Sequence, residues 1–283
     1  MKNPLVSPVV KWVGGKRQLL NSIRKHIPAR DKYDYYCEPF VGGGAVLFDL
    51  QPKKAIINDL NWELMNVYDV IKNDIDELIL HLENYENTPE CFYKVREWDR
   101  NKKEYDNRSN IEKASRILYL NKTCYNGLFR VNNAGEFNTP FGRYKNPKIV
   151  NGTTLKAVHL YFKESDIIFY NKDYEDVLKS LKKRTFVYLD PPYDPLSDTS
   201  SFTGYNKGGF DKKEQERLQK CCDLLDKKGI KFLLSNSATP FIKRLYDDYI
   251  QEYGLNIVQA KRSINSVSNK RGQIDEILVK NYD

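Results

Sequence analysis

Metal-binding and disulfide chemistry are thinly provided for in this chain. Its 283 residues include only three histidines and five cysteines, the latter at 37, 91, 124, 221 and 222 with no CxxC spacing. An odd, scattered set of thiols argues against a disulfide framework, and so few histidines leave no zinc site, so no metal is expected. Long apolar runs are missing too. No window approaches the ~20 apolar residues of a membrane-spanning helix, and the opening MKNPLVSPVVKWVGGK lacks the apolar core of a leader. Repeats and low-complexity tracts are absent. The expectation is a reduced, soluble, cytoplasmic protein.

What is in excess is positive charge: 46 Lys and Arg against 38 Asp and Glu, a formal net charge of +8. That balance says nothing about fold but favours a polyanionic partner, because basic patches bind phosphates with release of counterions. The length accommodates one large α/β domain with an insert, or two small domains.

The chain is organised around TFVYLDPPY, Thr185 to Tyr193. β-Branched, aromatic and aliphatic residues make a buried strand that stops at an acid, two prolines and a tyrosine. Neither proline donates a ladder hydrogen bond, and Pro191 pushes Asp190 out of the helical region. The Asp190 carbonyl is therefore free to accept a bond, so one carboxylate (Asp190), at least one unpaired carbonyl and one aromatic face (Tyr193) lie within the tetrad Asp190-Pro191-Pro192-Tyr193 at a strand's carboxyl end, where open α/β sheets bind ligands. That set suits a flat amine. Asp-Pro alone reads as a turn starter, but the whole tetrad after an apolar strand reads as a site.

Three earlier segments fit a nucleotide-like ligand. KWVGGK, Lys11 to Lys16, is not a phosphate loop, since Val10 and Arg17 stand where a Walker motif needs glycine and Ser/Thr. Either Trp12 stacks on a base while Lys16 neutralises a carboxylate, or the segment is a tight turn before a helix. YYCEPFVGGGAVL, Tyr35 to Leu47, runs from a short strand through Glu38 and Phe40 into Gly42 and two more glycines, then into a helix. Such glycines let backbone amides approach a ligand. Leu47 occupies the third glycine position of a dinucleotide fingerprint, and Glu38 would repel a pyrophosphate, so a cationic or amine-bearing ligand is expected rather than NAD. AIIND, Ala55 to Asp59, is a second short strand. Asp59 follows Glu38 by 21 positions, close to the ~20-residue interval at which an acid reaches ribose hydroxyls; the alternative is a cap on the helix that begins near Trp62.

Glu38 and Asp190 are 152 positions apart, whereas three βα units of ~30 residues span roughly 90. About 60 residues are therefore inserted. Residues 64–152 are polar with helical spacing at Leu78, Leu82, Phe92 and Val95, and Ser109 with Glu112 makes a capping box for a helix expected to end near Asn126-Gly127. Beyond it, NGLFRVNNAGEFNTPFGRYKNPK reads as a hairpin around Asn133-Ala134-Gly135, with Phe129, Val131, Phe137 and Thr139 alternating. Arg130, Arg143, Lys145 and Lys148, interleaved with Asn126, Asn132, Asn138 and Tyr144, are residue types that read base edges and clamp phosphates. The alternative is a solvated surface hairpin. After Gly152 the α/β rhythm returns, with Asp173 following the strand Ile167 to Tyr170, placed to accept from a purine amino group. The long polar segment Asp194 to Phe210 reads as a substrate lid. Leu218, Cys221, Cys222 and Leu225 face inward from the next helix, and the tail makes two strands joined by the basic loop SVSNKRG.

KWVGGK, EPFVGGGAV, NGLFRVNNAGEFNTPFG and DPPY, in that order, resemble the Dam-type DNA adenine methyltransferases, an α-group of amino-methyltransferases, and among them most resemble the GATC-modifying methylases of Dpn-type restriction systems. The matching blocks run from Lys11 to Tyr193. The resemblance implies an α/β fold with a seven-stranded, mostly parallel, doubly wound sheet, an antiparallel tail hairpin and an inserted DNA-recognition domain. That would divide the chain into 1–63 and 153–283 as catalytic parts around the insert 64–152. It implies S-adenosylmethionine held by Trp12, Lys16, Glu38, Phe40, Gly42, Asp59 and Asp173, with Asp190 near its methionine end. The counterpart of Arg130 reads a guanine in relatives, and those of Lys11, Asn126, Leu128, Pro140 and Tyr144 touch or support the DNA site. The activity implied is methylation of the 6-amino group of a flipped adenine in duplex DNA within GATC. The protein would work as a monomer beside a companion restriction endonuclease of the same target. Competing readings are an RNA, protein-amide or cytosine amino-methyltransferase, or a DNA-binding protein on a silent scaffold.

Overall fold

In the computed structural model, which describes residues 2–195, 209–261 and 273–283, seven strands form one sheet. They are β1 (Tyr35–Glu38), β2 (Lys54–Asn58), β3 (Asp166–Tyr170), β4 (Thr185–Leu189), β5 (Lys231–Ser237), β6 (Asn256–Lys261) and β7 (Gln273–Lys280), in the spatial order β3-β2-β1-β4-β5-β7-β6. The first five are parallel, and β7 runs antiparallel to both β5 and β6. The mixed α/β class, the seven strands and the antiparallel tail agree with expectation. From β1 the chain lays β2 and β3 to one side and β4 and β5 to the other, so the order reverses between β1 and β4. A crevice opens beyond the carboxyl ends of strands at such a switch point.

Strand pleating sorts the sequence onto two faces, because successive side chains point to opposite sides. Tyr36, Phe186, Tyr188 and Leu233 enter one core, covered by the helices Leu20–His26, Ala45–Leu50, Trp62–Asn73 and Gly152–Lys163. Cys37, Val187, Leu189, Phe232 and Leu234 enter the other, under the helices Tyr174–Ser180, Lys212–Lys227, Pro240–Leu245 and Asp247–Tyr253. All five residues of β4 are buried, as a parallel strand covered on both sides requires. On Lys212–Lys227 the inward face is Leu218, Cys221, Cys222 and Leu225 as read from the sequence, with Gln215 one turn earlier on the same face and fully buried.

The capping box forms: Ser109 Oγ accepts from Glu112 N at 3.2 Å and Glu112 Oε2 from Ser109 N at 2.9 Å. The helix it opens ends at Thr123, short of the expected Asn126-Gly127. The hairpin captures the backbone first, with Tyr125 N donating to Pro140 O and Gly142 N to Thr123 O, each at 2.8 Å. Gly142 is required there, since a Cβ would lie 2.7 Å from the Cys124 carbonyl oxygen. Asn126 and Gly127 then turn in the left-handed region, at φ 56° and 66°.

The hairpin is present but is not a regular ladder. Asn132 N to Glu136 O (2.8 Å) and Asn138 N to Arg130 O (2.9 Å) flank a single Val131–Phe137 bridge. The outward groups of Phe137 find side chains instead of a third strand: its N–H donates to Asp99 Oδ2 at 2.7 Å and its carbonyl accepts from Arg100 at 2.7 Å. Behind Asp99 lies the fully buried guanidinium of Arg116, 2.6 Å away and also bonded to the carbonyls of Val95 and Arg96. The expected lid falls mostly, and the loop SVSNKRG wholly, outside the described residues. Among the described residues no helix is long and apolar enough to cross a membrane.

Candidate active site

Because Glu38 follows Tyr36 by two and Asp190 follows Tyr188 by two, both acids fall on the Tyr36–Tyr188 face of the adjacent strands β1 and β4. They converge past the sheet's rim at the switch point. Lys16 joins them, with its ammonium 2.8 Å from Asp190 Oδ1, donating to Gly14 O at 2.6 Å and lying 4.6 Å from the centroid of the Tyr193 ring. From β5, Ser235 Oγ donates to the same Asp190 oxygen at 3.0 Å. From β7, Glu276 accepts the Tyr193 hydroxyl at 2.7 Å. The Pro191 carbonyl has no partner among the described residues, whereas the Pro192 carbonyl accepts from Gln215 Nε2 at 2.9 Å.

The site sets two acids, Glu38 and Asp190, beside one cation, Lys16. Glu38 is 2% exposed, and burial, with the nearby Asp190 charge adding to it, pushes its carboxyl up to about 8 despite bonds from the Tyr36 hydroxyl (2.8 Å) and the Leu47 amide. Burial also raises Asp190, while Lys16, Ser235 and Tyr193 pull it back toward the ionised form. One lysine cannot neutralise both acids. A ligand carrying positive charge or amino hydrogens would satisfy what remains.

Beside this group the glycine loop is closed by Asp59, which accepts from Gly42 N at 3.0 Å and Asn61 N at 2.9 Å. Two expectations change here. Asn61, not Asp59, caps the helix Trp62–Asn73, accepting from Leu64 N at 3.0 Å; and the Gly42 amide points at Asp59 rather than outward to a ligand. Gly42 instead permits close approach of Trp12: a Cβ would sit 3.1 Å from Trp12 Cδ1 in a backbone at φ 47°. Asn58 stitches the ends of β1 and β3, donating to Pro39 O (3.0 Å) and Lys172 O (3.1 Å) and accepting from Lys172 N (2.9 Å).

Asp173 and Phe40 form a neighbouring aromatic corner, with Phe40 5.0 Å from Tyr174 and 5.9 Å from Phe210 between ring centroids. Asp173 is more committed than the sequence suggested. It caps the helix Tyr174–Ser180 by accepting from Glu175 N at 2.9 Å, and both its oxygens bond Arg217, one at 3.1 Å. A purine amino group arriving there shares this carboxylate with a guanidinium.

The basic hairpin lies against the glycine loop through Trp12, which stacks on Phe129 at 4.8 Å and 24°. Asn121 ties Lys11 to the Asn126-Gly127 turn, exchanging 2.8 Å bonds with the Lys11 backbone and donating to Gly127 O at 3.0 Å. Lys11, Asn126, Arg130, Pro140, Arg143 and Tyr144 are exposed; Leu128 is partly covered, and its carbonyl accepts from the buried Thr139. Arg130 is held by Asn138, whose Oδ1 accepts from its Nε at 2.7 Å. Arg143 takes a left-handed φ of 55°.

Sequence reasoning passed over Tyr36, Asn121, Gln215, Arg217, Ser235, Asn236 and Glu276. Gln215 alone left a signal, a polar residue in register with the apolar stripe Leu218–Cys222–Leu225. The others read as ordinary strand or helix positions. Among the described residues no cluster of His, Cys, Asp and Glu could hold a metal ion.

Residues 12–264 match the family described as D12 class N6 adenine-specific DNA methyltransferase. The chain is 43% identical to the type II methyltransferase M1.LlaDCHI of Lactococcus lactis subsp. cremoris, over 97% of this chain and 95% of that one. It is 45% identical to the type II methyltransferase M.MjaIII of Methanocaldococcus jannaschii over 98% and 99% of the two chains. With the DNA adenine methylase of Escherichia coli K12 it shares 35% identity over 95% and 93%. With the acid-and-proline tetrad at the switch point and a basic hairpin against the loop beside it, the chain belongs to the D12 class of N6 adenine-specific DNA methyltransferases.

Proposed function

We propose that this adenine-specific DNA methyltransferase takes its methyl group from S-adenosylmethionine and acts on an adenine turned out of the duplex, within a short site for which GATC is the candidate. The observation that carries the reading is the meeting, at one rim of the sheet, of the Asp190 carboxylate, the Pro191 carbonyl, unpartnered among the described residues, and the Tyr193 ring. Adenine's amino nitrogen is a poor nucleophile because its lone pair is delocalised into the ring. Accepting its two hydrogens at Asp190 and Pro191 favours a tetrahedral nitrogen with a directed lone pair, and Asp190 then lies in reach of the proton shed after transfer. Turning the base out costs a few kcal/mol. Stacking on Tyr193, ~1 to 3 kcal/mol per base, offsets much of that.

The residues fit the donor. Bound, it supplies an electrophilic methyl on a sulfonium centre. The surplus of buried acid at Glu38 and Asp190 suits its positive charges, Trp12 packed on Gly42 and Gly43 offers a flat wall, and Asp59, Phe40 and Asp173 line the side where a nucleoside would extend. Lys16 belongs to this group through Asp190. Residues 64–152 are proposed as the target-recognition unit, with Arg130 reading a guanine and Lys11, Asn126, Leu128, Pro140, Arg143 and Tyr144 around it. Two relatives bear the name type II methyltransferase, which supports a modification role beside a restriction endonuclease of the same target.

Incubating plasmid DNA with the protein and tritiated S-adenosylmethionine, then mapping modified bases, tests the reading. N6-methyladenine at GATC is expected. Modified cytosine, label in RNA only, or adenines scattered without a common sequence would overturn it. Asp190→Ala should abolish transfer while leaving donor and DNA binding measurable.

A further inference from the structure

Past Asp190 the chain leaves the sheet, and nothing in a β-ladder holds it. The structure replaces the ladder with buried polar side chains. Gln215, fully buried on the helix Lys212–Lys227, donates its Nε2 to Pro192 O at 2.9 Å, and its Oε1 accepts from Asn236 Nδ2 at 3.0 Å. Asn236, also fully buried, accepts the Asp194 backbone N–H at 3.2 Å and that of Ser237 at 2.8 Å. Ser237 Oγ donates to Asp194 O at 2.7 Å, and Thr239 Oγ1 to the Asp194 carboxylate at 2.7 Å.

Four of these bonds restrain four different atoms of the segment Pro192–Asp194: the Pro192 carbonyl and the amide, carbonyl and carboxylate of Asp194. Burying two amides is unfavourable unless every donor and acceptor is met, and apolar residues would fill the same helix–strand contact more simply. Here each amide makes one bond to this loop, and a third bond couples the two amides. Pleating explains their side of the sheet: Asn236 adjoins Ser235, which faces Asp190, and so points the opposite way, toward the helix carrying Gln215. One face of the rim carries the acids, and the other braces the backbone that links them to Tyr193.

We propose that Gln215, through Asn236, is a positioning residue for methyl transfer: by fixing the Pro192–Tyr193 peptide it aims the Pro191 carbonyl and the Tyr193 ring at the target base. The inference rests on the reading that Asp190 and Pro191 receive the amine. A constraint of this kind acts on the reacting geometry rather than on affinity, because both amides are fully buried and present nothing to a ligand.

The test is single-turnover transfer from tritiated S-adenosylmethionine to plasmid DNA by the full chain, with KM for each substrate and thermal unfolding measured alongside. Gln215→Glu keeps the shape but turns the group facing Pro192 O from donor to acceptor; it should slow transfer ~100-fold, and Gln215→Met about tenfold, as small misplacements in a reacting geometry do. Both KM values should stay within about threefold, since uniform binding is untouched. Should either variant fail to fold, Ser237→Ala removes a single restraint and should give a smaller loss, again in rate and not in KM. Transfer within about twofold of the parent in folded Gln215→Glu, or a loss confined to KM, overturns the proposal. Asp190→Ala run in parallel separates the two readings: inactive Asp190→Ala beside an unaffected Gln215→Glu overturns the positioning role alone, whereas active Asp190→Ala overturns the catalytic reading on which it rests.

Discussion

Trp12 touches two elements at once: its indole stacks on Phe129 of the basic hairpin, 4.8 Å between centroids, and packs against Gly42 and Gly43 of the loop after β1. Phe129 in turn meets Phe137 edge-on at 5.7 Å. The hairpin and the glycine loop therefore share one aromatic wall, and a change in the hairpin is felt where the donor is proposed to bind.

Phe129→Ala should accordingly weaken S-adenosylmethionine binding although Phe129 lies in the hairpin proposed to meet DNA. Aromatic pairs are worth ~0.5 to 1.5 kcal/mol beyond their buried area, so a loss of roughly twofold to tenfold is expected by isothermal titration. An unchanged affinity would show that Trp12 holds its place without the stack.

Glu38 gives a pH signature. Its carboxyl titrates at about 8 in the folded protein against ~4.3 in an unfolded chain. Between those values the folded state holds a proton that the unfolded state has lost, so this group makes stability fall as pH rises through that window. Glu38→Gln removes the effect. It should stabilise the donor-free protein by several kcal/mol at pH 8, up to ~5 for a shift this large, and change little at pH 4, while weakening donor binding. Urea unfolding at the two pH values decides; equal shifts at both would mean that Glu38 is not a buried protonated acid.

How much of this was legible beforehand follows from distance along the chain. Thr185 to Tyr193 announced both a strand and its abrupt end, because apolar residues and prolines act locally. Ser109 with Glu112 announced a helix start for the same reason, and the spacing from Glu38 to Asp190 leaves room for an insert by simple length. Where the helix after Ser109 would stop was misread, since a strand partner at Pro140 and Gly142 decided it. Asp59 as a cap was left open, and Asn61 took the place. Arg217 on Asp173 and Gln215 on Pro192 join residues tens of positions apart through the sheet order; the stripe Leu218–Cys222–Leu225 marks Gln215 as inward-facing, but nothing local names the carbonyl it meets. The tail's antiparallel pairing came from resemblance, not from the residues.

Asp99 joins the helix Asn110–Thr123 to the hairpin. It binds the buried Arg116, the neighbouring Arg100 and the Phe137 N–H together. Asp99→Ala leaves a buried guanidinium less compensated and should cost ~3 to 5 kcal/mol of stability. Asp99→Asn should cost less, because its amide oxygen still accepts from Phe137. Denaturant unfolding of the two variants checks the order, and equal small losses would place the hairpin's support elsewhere.

Arg130 tests the recognition surface. Asn138 fixes the Nε edge of its guanidinium, so the fork is presented in one orientation on an exposed limb of the hairpin. A bidentate contact with guanine is worth ~1 to 3 kcal/mol of discrimination, and Arg130→Ala should lose that much against a substitution at one base pair while the other positions of the site stay discriminated. Asn138→Ala should move in the same direction by less, since it frees the fork without removing it. Arg143→Ala, a phosphate contact in this reading, should instead weaken binding to every sequence alike and flatten the salt dependence. Methylation rates on a set of single-substituted duplexes distinguish the two patterns, and a uniform loss with Arg130→Ala would make it a backbone contact like Arg143.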